Sequence, residues 1–279
     1  MTTDGFSSAD IDTSRPHPAR IYDYLLGGKS NYPVDWEAAR QLLRVAPEAR
    51  VSARENRAFL QRAVRFLVRD AGIRQIIDIG TGIPAPGNVH QIAQQFAPEV
   101  RVAYVDNDPI VHVHAHALLT GTGATSIVLA DLREPELILS HPQIRAMIDF
   151  REPVALLLIA ILHFVADDEE PARIIATFRD ALAAGSYLAI SHGSGDFNAD
   201  AAREVAAVYS NATSALTPRS HAEIVRLFDG FEILDPGVVQ PPLWRPDGKV
   251  PRDVSKIAGY CGVGCKPAAS PPSALPAPA

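Results

Sequence analysis

Short apolar runs alternate with stretches of helical spacing along the chain, and this alternation predicts an α/β protein. The β-branched run of Ile76, Ile77 and Ile79 is typical of a buried parallel strand. The continuously apolar stretch 154–162 is typical of a central strand. Strands are predicted over residues 76–79, 100–105, 126–130, 154–162 and 187–191, with antiparallel edge strands near 231–234 and 257–263.

Between these strands, apolar residues recur at the spacing of a helix. Phe59, Ala63 and Phe66 would bury one face of a long helix, and Ser52 with Glu55 forms a capping box that predicts its first turn. Helices are predicted over residues 17–26, 35–43, 52–72, 88–96, 109–119, 171–182, 201–210 and 220–230. Strands that alternate with helices in this way predict a mostly parallel sheet with helices on both faces.

A glycine turn follows the first predicted strand. Gly80 and Gly82 allow the backbone to turn tightly and to approach a ligand closely. Asp78 lies just before this turn, and Asp106 ends the second strand, where a carboxylate can accept hydrogen bonds from the hydroxyls of a ribose. These residues predict a nucleotide-type ligand at the carboxyl edge of an open α/β sheet. The alternative is an ordinary strand, turn and helix without a ligand.

Two ligand classes use this arrangement. Residues 80–85 match the dinucleotide pattern G-x-G-x-x-G/A, which would indicate a nicotinamide cofactor. A pyrophosphate site, however, needs a helix that opens at the second glycine, and Pro84 and Pro86 disfavour helical geometry in the residues before them. Asp78 would also repel a pyrophosphate and attract an ammonium group. A ligand with a ribose, an amino-acid head and no phosphate, such as S-adenosylmethionine, fits better.

Three further polar residues follow predicted strands. Asp131 follows the third strand, where it could bind an adenine amino group or cap a helix. His163 and His192 follow the fourth and fifth strands, and histidine is the side chain best suited to move a proton near neutral pH. Because ligands bind at the carboxyl ends of such strands, both histidines are candidate catalytic residues. The alternative for each is a loop histidine bonded to the backbone.

Tyrosines surround a diglycine near the N-terminus. Tyr22, Tyr24 and Tyr32 lie close in sequence to Gly27 and Gly28. One interpretation is a helix that packs on the main domain and ends at Gly27 in a left-handed cap. The other is a lid whose aromatic rings cover a cationic cofactor. The sequence leaves both open.

Composition narrows the class of protein. The chain has 279 residues, of which 47% are hydrophobic and 21% charged, as in ordinary soluble globular proteins. Its formal net charge of −6 argues against sequence-independent binding of nucleic acid. The N-terminus has no apolar signal-peptide core, and no apolar run is long enough to span a bilayer. We therefore expect a cytoplasmic protein with no membrane or nucleic-acid partner.

No metal site is predicted. His112 and His116 share a helix face as in a zinc pair, but no acidic third ligand lies nearby in sequence. Cys261 and Cys265 likewise have no histidine or acidic residue close to them. A solvated helix face and two unbridged cysteines are the better interpretations.

Several motifs resemble those of class I S-adenosylmethionine-dependent methyltransferases. Residues 78–82, DIGTG, resemble the acidic-x-Gly-x-Gly motif, Asp106 resembles the ribose-binding acid, and Asp131 resembles the acid on the adenine side. Residues 161–164, ILHF, resemble the end of strand four in small-molecule methyltransferases. The segment 19–29, ARIYDYLLGGK, is similar to the "S-adenosyl methyltransferase" family long catalogued as a domain of unknown function.

This resemblance covers roughly residues 16–266. It implies a Rossmann-like, seven-stranded, mostly parallel sheet with a terminal antiparallel hairpin and an N-terminal helical cap. It implies S-adenosyl-L-methionine as cofactor and an unidentified small-molecule methyl acceptor. The implied cofactor-binding residues are Asp78, Gly80, Thr81, Gly82, Asn88, Asp106, Asn107, Asp131, Leu132, Ala160, Tyr22 and Gly28. A protein that binds this cofactor without turnover, or a nicotinamide-dependent oxidoreductase, remains an alternative.

The same reading divides the chain into one domain and two tails. Residues 17–266 are expected to form the domain, with a helical cap over 17–72 and the sheet core over 73–266. Residues 1–16 are polar and residues 267–279 are rich in proline and alanine, so both ends are expected to be disordered.

Overall fold

The computed structural model describes residues 12–119, 124–250 and 253–268, so most of both tails lies outside the described residues. The strands are β1 (Gln75–Ile79), β2 (Arg101–Asp106), β3 (Thr125–Leu129), β4 (Ala155–Ile159), β5 (Tyr187–Gly193), β6 (Glu232–Ile233) and β7 (Gly259–Cys265). The helices are α1 (Pro18–Leu26), α2 (Pro33–Val45), α3 (Ala49–Arg65), α4 (Val89–Phe96), α5 (Pro109–Leu119), α6 (Pro135–Ser140), α7 (Pro142–Met147), α8 (Pro171–Ala181), α9 (Ala199–Tyr209) and α10 (His221–Arg226).

The strands form one sheet in the order β3-β2-β1-β4-β5-β7-β6. Strands β1 to β5 are parallel, and β7 runs antiparallel to both of its neighbours, β5 and β6. The predicted seven-stranded, mostly parallel sheet is therefore confirmed. The strand order reverses between β1 and β4, because the chain builds outward from β1 to β3 and then resumes on the other side of β1. Ligands of open α/β sheets bind at such a switch point.

Alternate residues of the central strands enter two hydrophobic cores, one on each face of the sheet. In β1, Ile77 and Ile79 pack into one core and Ile76 into the other. In β4, Leu156 and Leu157 divide in the same way. Since both faces are covered, these strands are apolar throughout, and the prediction that the run 154–162 supplies the middle strand is confirmed.

A third core joins the N-terminal helices to α9. Ile21 and Leu25 of α1 and Leu42 of α2 pack in it against Tyr209 of α9. Gly27 has φ +85° and ends α1 in the left-handed conformation that the sequence predicts. The cap is thus anchored to a distant part of the chain by buried apolar side chains.

The predicted start of α3 is wrong. The helix begins at Ala49, so Ser52 lies inside it and does not form a capping box with Glu55 at its first turn. Pro47 separates α2 from α3, and the residues after it contain no helix breaker. The helix therefore begins as soon as the proline has passed.

The predicted end of β4 is also wrong. Pairing stops at Ile159, Ala160 takes φ +56°, and Leu162–Phe164 forms a 3-10 turn. His163 consequently lies in this turn and not at the strand end. An unbroken apolar run identifies a buried segment, but it does not show where hydrogen bonding to the neighbouring strand stops.

Two further boundaries on the other side of the sheet differ from the predictions. β5 extends to Gly193, so His192 lies within the strand. β7, predicted as an edge strand, lies between β5 and β6 and is therefore internal. β6 alone forms that edge of the sheet.

Candidate functional site

A cavity of about 340 Å³ lies where the strand order reverses, at the carboxyl ends of β1, β2, β4 and β5. Helices α1, α2, α3 and α9 also contribute to its walls, and its volume is that of a small-molecule pocket. Most of the residues predicted from sequence line it. These are Tyr22, Asp78, Gly80, Thr81, Gly82, Asp106, Asn107, Asp131, Leu132, Ala160, His163 and His192.

The glycine turn after β1 forms the floor of the cavity. Gly80 has φ +71°, and a Cβ atom there would lie 2.6 Å from the side chain of Ile161. Gly82 has φ +68°. Left-handed backbone and the close approach of Ile161 both require glycine at position 80, so the turn brings main chain, not side chains, to the cavity surface.

Asp106, at the end of β2, is held by the backbone. Its Oδ2 accepts from Gly82 N at 2.8 Å and its Oδ1 from Asp108 N at 2.9 Å. Burial nevertheless raises the pKa of Asp106 to about 7, against the lowering effect of these hydrogen bonds. Each carboxylate oxygen can accept a further hydrogen bond from a ligand.

Asp78, the penultimate residue of β1, is the second buried acid. Burial raises its pKa to about 6, while Thr81 and the positive charge of Arg57 lower it. Burial without a nearby cation disfavours the ionised form of a carboxylate. A cationic group in the cavity would therefore favour the ionised form of Asp78.

Asp131 caps a turn after β3 and also lines the cavity. Its Oδ1 accepts from Arg133 N at 2.9 Å, which caps the turn before α6, and its Oδ2 accepts from Asn107 Nδ2 at 2.9 Å. It also lines the cavity. Burial acts to raise its pKa, but the hydrogen bonds from Arg133 and Asn107 prevail and the pKa is lowered, so Asp131 is ionised at neutral pH.

His163 has a defined tautomer. Its Nδ1 accepts a hydrogen bond from Gly193 N at 3.2 Å, so in the neutral imidazole the proton resides on Nε2. Burial and the nearby His192 and Arg219 hold the pKa of His163 well below its usual range. Among the described residues, no group is hydrogen-bonded to Nε2. The ring thus offers a donor to the cavity, and not a basic nitrogen.

His192 is bonded at both ring nitrogens. Its Nδ1 donates to Gly193 O at 2.6 Å, and its Nε2 accepts from Arg219 Nη1 at 3.0 Å. Burial lowers the pKa of His192 to about 4. Both nitrogens are therefore engaged, and this geometry is that of a structural residue in the cavity wall.

Arg219 holds the segment that carries His163. The guanidinium is buried, and it donates to Leu162 O at 2.9 Å and to Val165 O at 2.8 Å. It also donates to Asp167 Oδ1 at 2.7 Å. The sequence gives no local signal for this role, because Arg219 lies in a loop more than fifty residues from the carbonyls that it binds.

Tyr22 has contacts that agree with both interpretations of the N-terminal helix, the packing helix and the lid. Its hydroxyl donates to Ala53 O at 3.0 Å and accepts from Asn56 Nδ2 at 2.9 Å, which joins α1 to α3. Its ring lines the cavity. The other two tyrosines do not line it: the Arg50 guanidinium lies 5.1 Å from the Tyr24 ring, and that of Arg20 lies 5.7 Å from the Tyr32 ring.

A buried charge cluster ties the cap to β2. Arg20 Nε lies 3.4 Å from Asp108 Oδ2 and Arg20 Nη1 lies 3.7 Å from Asp35 Oδ2. His17 Nδ1 lies 3.2 Å from the same oxygen of Asp108. Since Asp108 N donates to Asp106, the cap is two contacts away from the predicted ribose-binding acid.

Two predicted residues do not line the cavity. Asn88 precedes α4, and its Oδ1 accepts from Ala85 N at 3.1 Å. Gly28 donates from its amide to Asp23 O at 2.8 Å, and a Cβ atom there would overlap the Asp23 carboxylate. The close approach of Asp23 explains the second glycine of the diglycine without a ligand.

The cavity includes polar residues that sequence reasoning missed. Asn56 and Arg57 of α3 line it, as do Ser194 after β5 and Lys256 before β7. Polar residues on an amphipathic helix or in a loop carry no signal of what they face. Only the packing of the cap and of the segment before β7 brings them to the strand ends.

The described residues contain neither a candidate metal site nor a candidate membrane-spanning helix. Within residues 12–119, 124–250 and 253–268 there is no group of histidine, cysteine and acidic side chains that could hold a metal ion. Over the same residues, no helix is long and apolar enough to cross a membrane.

Comparisons with known proteins bear on the same geometry. A family model described as S-adenosyl methyltransferase matches residues 4–267. A candidate methyltransferase of known structure from Thermobifida fusca YX is 42% identical, with 92% of this chain and 97% of that chain covered and a TM-score of 0.88. A DUF574-family protein from Streptomyces avermitilis is 44% identical, with 92% and 99% covered and a TM-score of 0.89. No curated protein matches the chain.

Proposed function

The chain belongs to the S-adenosylmethionine-dependent S-adenosyl methyltransferase family, and on that basis we propose that it transfers a methyl group from S-adenosyl-L-methionine to a small-molecule acceptor. One observation carries the proposal. Three strand-end acids, Asp78, Asp106 and Asp131, converge on one cavity beside a glycine turn. Acids at these places suit a ligand with hydroxyl, amino and ammonium groups, and they oppose a pyrophosphate.

The residues present fit that cofactor. Asp106 would accept from the ribose hydroxyls with the acceptor capacity that its two backbone donors leave free. Asp131 and Leu132 would hold the adenine, one by hydrogen bonding and the other by apolar contact. The main chain of the glycine turn would lie against the middle of the ligand, and Asp78 would bind its ammonium group.

The bound cofactor supplies an activated methyl group on a sulfonium, and the protein supplies orientation and exclusion of water. Alignment of donor and acceptor can contribute up to ~7–11 kcal/mol to such a transfer. The walls that would align them are held by contacts within the fold, the segment after β4 by Arg219 and the cap by its apolar core.

His163 would orient the acceptor through its Nε2 proton. Because Gly193 N occupies Nδ1 and the pKa of His163 is lowered, the ring is a hydrogen-bond donor at neutral pH, and the role of base is unfavourable for it. His192 would keep the wall in place and would not contact the reacting atoms. An acceptor that needs no early loss of a proton, or that ionises unaided, suits this site.

The lining favours a small acceptor without net charge. The part of the cavity formed by α1, α2 and α9 is largely apolar, with Leu25, Leu42 and Val205 among its walls. Two charged residues of this lining are close to each other, Lys256 Nζ being 3.6 Å from Glu48 Oε1. An acceptor would therefore meet apolar contacts and few free charges.

Calorimetric titration with S-adenosylhomocysteine and with NAD tests the cofactor. We expect S-adenosylhomocysteine to bind and NAD to give no heat. NAD binding without a response to S-adenosylhomocysteine would overturn the proposal. Turnover is tested separately, by incubating the protein with S-adenosylmethionine and a metabolite extract. Accumulation of S-adenosylhomocysteine above a protein-free control distinguishes an enzyme from a protein that only binds the cofactor.

A further inference from the structure

Three permanently cationic side chains line the described part of the cavity: Arg57, Arg133 and Lys256. Arg133 is paired with Asp131 and Glu169. Lys256 lies within ion-pair distance of two carboxylates as well. Arg57 differs, because no carboxylate oxygen of the described residues lies within 4.0 Å of its nitrogens.

Most of the hydrogen-bonding capacity of Arg57 is unused within the described chain. Its Nη2 donates to Gly87 O at 3.0 Å, and the other N–H groups of the guanidinium have no partner among the described residues. The side chain is half-buried. Ala53 and Leu60, which share its face of α3, also line the cavity. Arg57 is therefore part of the cavity wall and keeps donors that the described residues leave unused.

Arg57 and Asp78 line the same cavity, and the hydrogen bond to Gly87 O holds Arg57 against the loop that follows β1. Burial raises the pKa of Asp78 and that of Tyr104, which pairs with Asp78 across β1 and β2, and the charge of Arg57 opposes both shifts. The Arg57 and Asp78 side chains nevertheless make no direct ion pair. An unpaired cation and an unpaired carboxylate thus face one cavity with a gap between them.

We propose that Arg57 binds the α-carboxylate of the cofactor's amino-acid head while Asp78 binds its ammonium group. This inference rests on the proposed function. The two ends of a zwitterion match the two opposite charges, and a guanidinium can donate to both oxygens of a carboxylate. The contact would make the protein selective for a cofactor that retains its carboxylate, and would exclude decarboxylated S-adenosylmethionine.

The experiment compares three ligands by calorimetry: S-adenosylhomocysteine, its decarboxylated analogue, which keeps the amine, and methylthioadenosine, which lacks the whole head. Wild-type protein should bind S-adenosylhomocysteine about 10–100-fold more tightly than the decarboxylated analogue, as expected of a charge-assisted contact. In Arg57→Gln this preference should fall to near one. Affinity for methylthioadenosine should stay the same.

Arg54→Gln is the matched control, since Arg54 is an exposed residue of the same helix that does not line the cavity. It should leave all affinities unchanged. If Arg57→Gln does not fold, Arg57→Lys keeps the charge but loses the planar fork, and an intermediate preference is expected.

A preference that survives in Arg57→Gln would overturn the assignment of Arg57 and leave the proposed function intact. So would an equal loss of affinity for all three ligands, because that indicates general damage to the pocket. If wild-type protein binds none of the three ligands, the proposed function fails, and this inference fails with it.

Discussion

The two halves of the cavity use buried polar groups in opposite ways. One half, at the ends of β1 to β3, is called the cofactor half because we propose that the cofactor binds there. In it, Asp78 and Asp106 are buried acids without an ion-pair partner among the described residues, and burial raises the pKa of both. The other half, at the ends of β4 and β5, is called the acceptor half because we propose that the methyl acceptor binds there. In it, His163, His192 and Arg219 bond to one another or to nearby backbone.

This difference distinguishes groups that can bind a ligand from groups that support the cavity wall. A buried charge that the fold leaves uncompensated costs free energy until a ligand compensates it. A network whose members are already bonded stabilises the wall and has little left to offer a ligand. We therefore expect mutations in the acceptor half to act on stability and mutations in the cofactor half to act on affinity.

The largest effect should come from the acceptor half. Arg219→Ala leaves the buried carbonyls of Leu162 and Val165 without donors, so we expect a loss of about 2–4 kcal/mol in the free energy of unfolding. Thermal melting should show it as a drop of roughly 5–15 °C. Arg226→Ala, an exposed substitution on α10, is the control. An unchanged melting temperature in Arg219→Ala would mean that this network does not support the wall.

In the cofactor half, Asp106→Ala should weaken S-adenosylhomocysteine binding by at least about tenfold. The variant loses a charged acceptor for the ribose and also the support of Gly82 N, but it removes no core side chain. Calorimetry measures the affinity and thermal melting the fold, with Asp180→Ala on the surface as control. Equal affinity in wild type and Asp106→Ala would show that the ribose binds elsewhere.

Affinity should also depend on pH in the cofactor half alone. With a pKa of about 7, Asp106 is mostly protonated at about pH 6 and mostly ionised at about pH 8. A ribose is bound by the ionised form, so S-adenosylhomocysteine affinity should fall about tenfold between about pH 8 and pH 6.

The effect on stability has the opposite sign. The folded protein binds this proton more readily than the unfolded chain does, so the contribution of Asp106 to stability is present at acid pH and is lost as pH rises through 7. Titrations at several pH values, with Asp106→Asn as the control without this carboxyl group, measure the affinity profile. The same slope in both proteins would contradict the assignment.

A smaller effect should appear in the cap, which spans both halves. Amide hydrogen exchange over residues 20–31 should slow when S-adenosylhomocysteine binds, because Tyr22 lines the cavity and Arg20 is linked through Asp108 to Asp106. The exposed helix α7 provides an internal control. Equal exchange in the free and bound states would make α1 a packing helix only.

The smallest expected effect concerns the protonation of two histidines in the acceptor half. We expect the neutral rings of His163 and His192 to carry their protons on opposite nitrogens, Nε2 in His163 and Nδ1 in His192. His192 should stay neutral down to about pH 5, since burial lowers its pKa to about 4. His163 should be neutral at neutral pH, since burial holds its pKa well below its usual range. Nitrogen-detected NMR of the imidazoles reports both properties. A basic Nε2 on His163 would restore it as a candidate base.

The sequence by itself determined the sheet and the cofactor half. The strands are buried on both faces, so their apolar runs could be read locally, and the residue after or near the end of each strand is thereby placed at a common edge. Asp78, Gly80, Gly82, Asp106 and Asp131 were predicted in this way, and the structure places them in one cavity.

Only the tertiary structure decided the acceptor half. Arg219 and the apolar wall come from elements far apart in sequence, and their positions depend on how the cap and α9 pack over the strand ends. The same packing decided the position of Arg57 in the cofactor half. The sequence also does not show where a strand ends. Both histidines were predicted to follow strands, but His163 lies in a turn and His192 lies within β5. A local pattern encodes which residues are buried, but the partner of a polar group across the fold depends on long-range packing that no single segment contains.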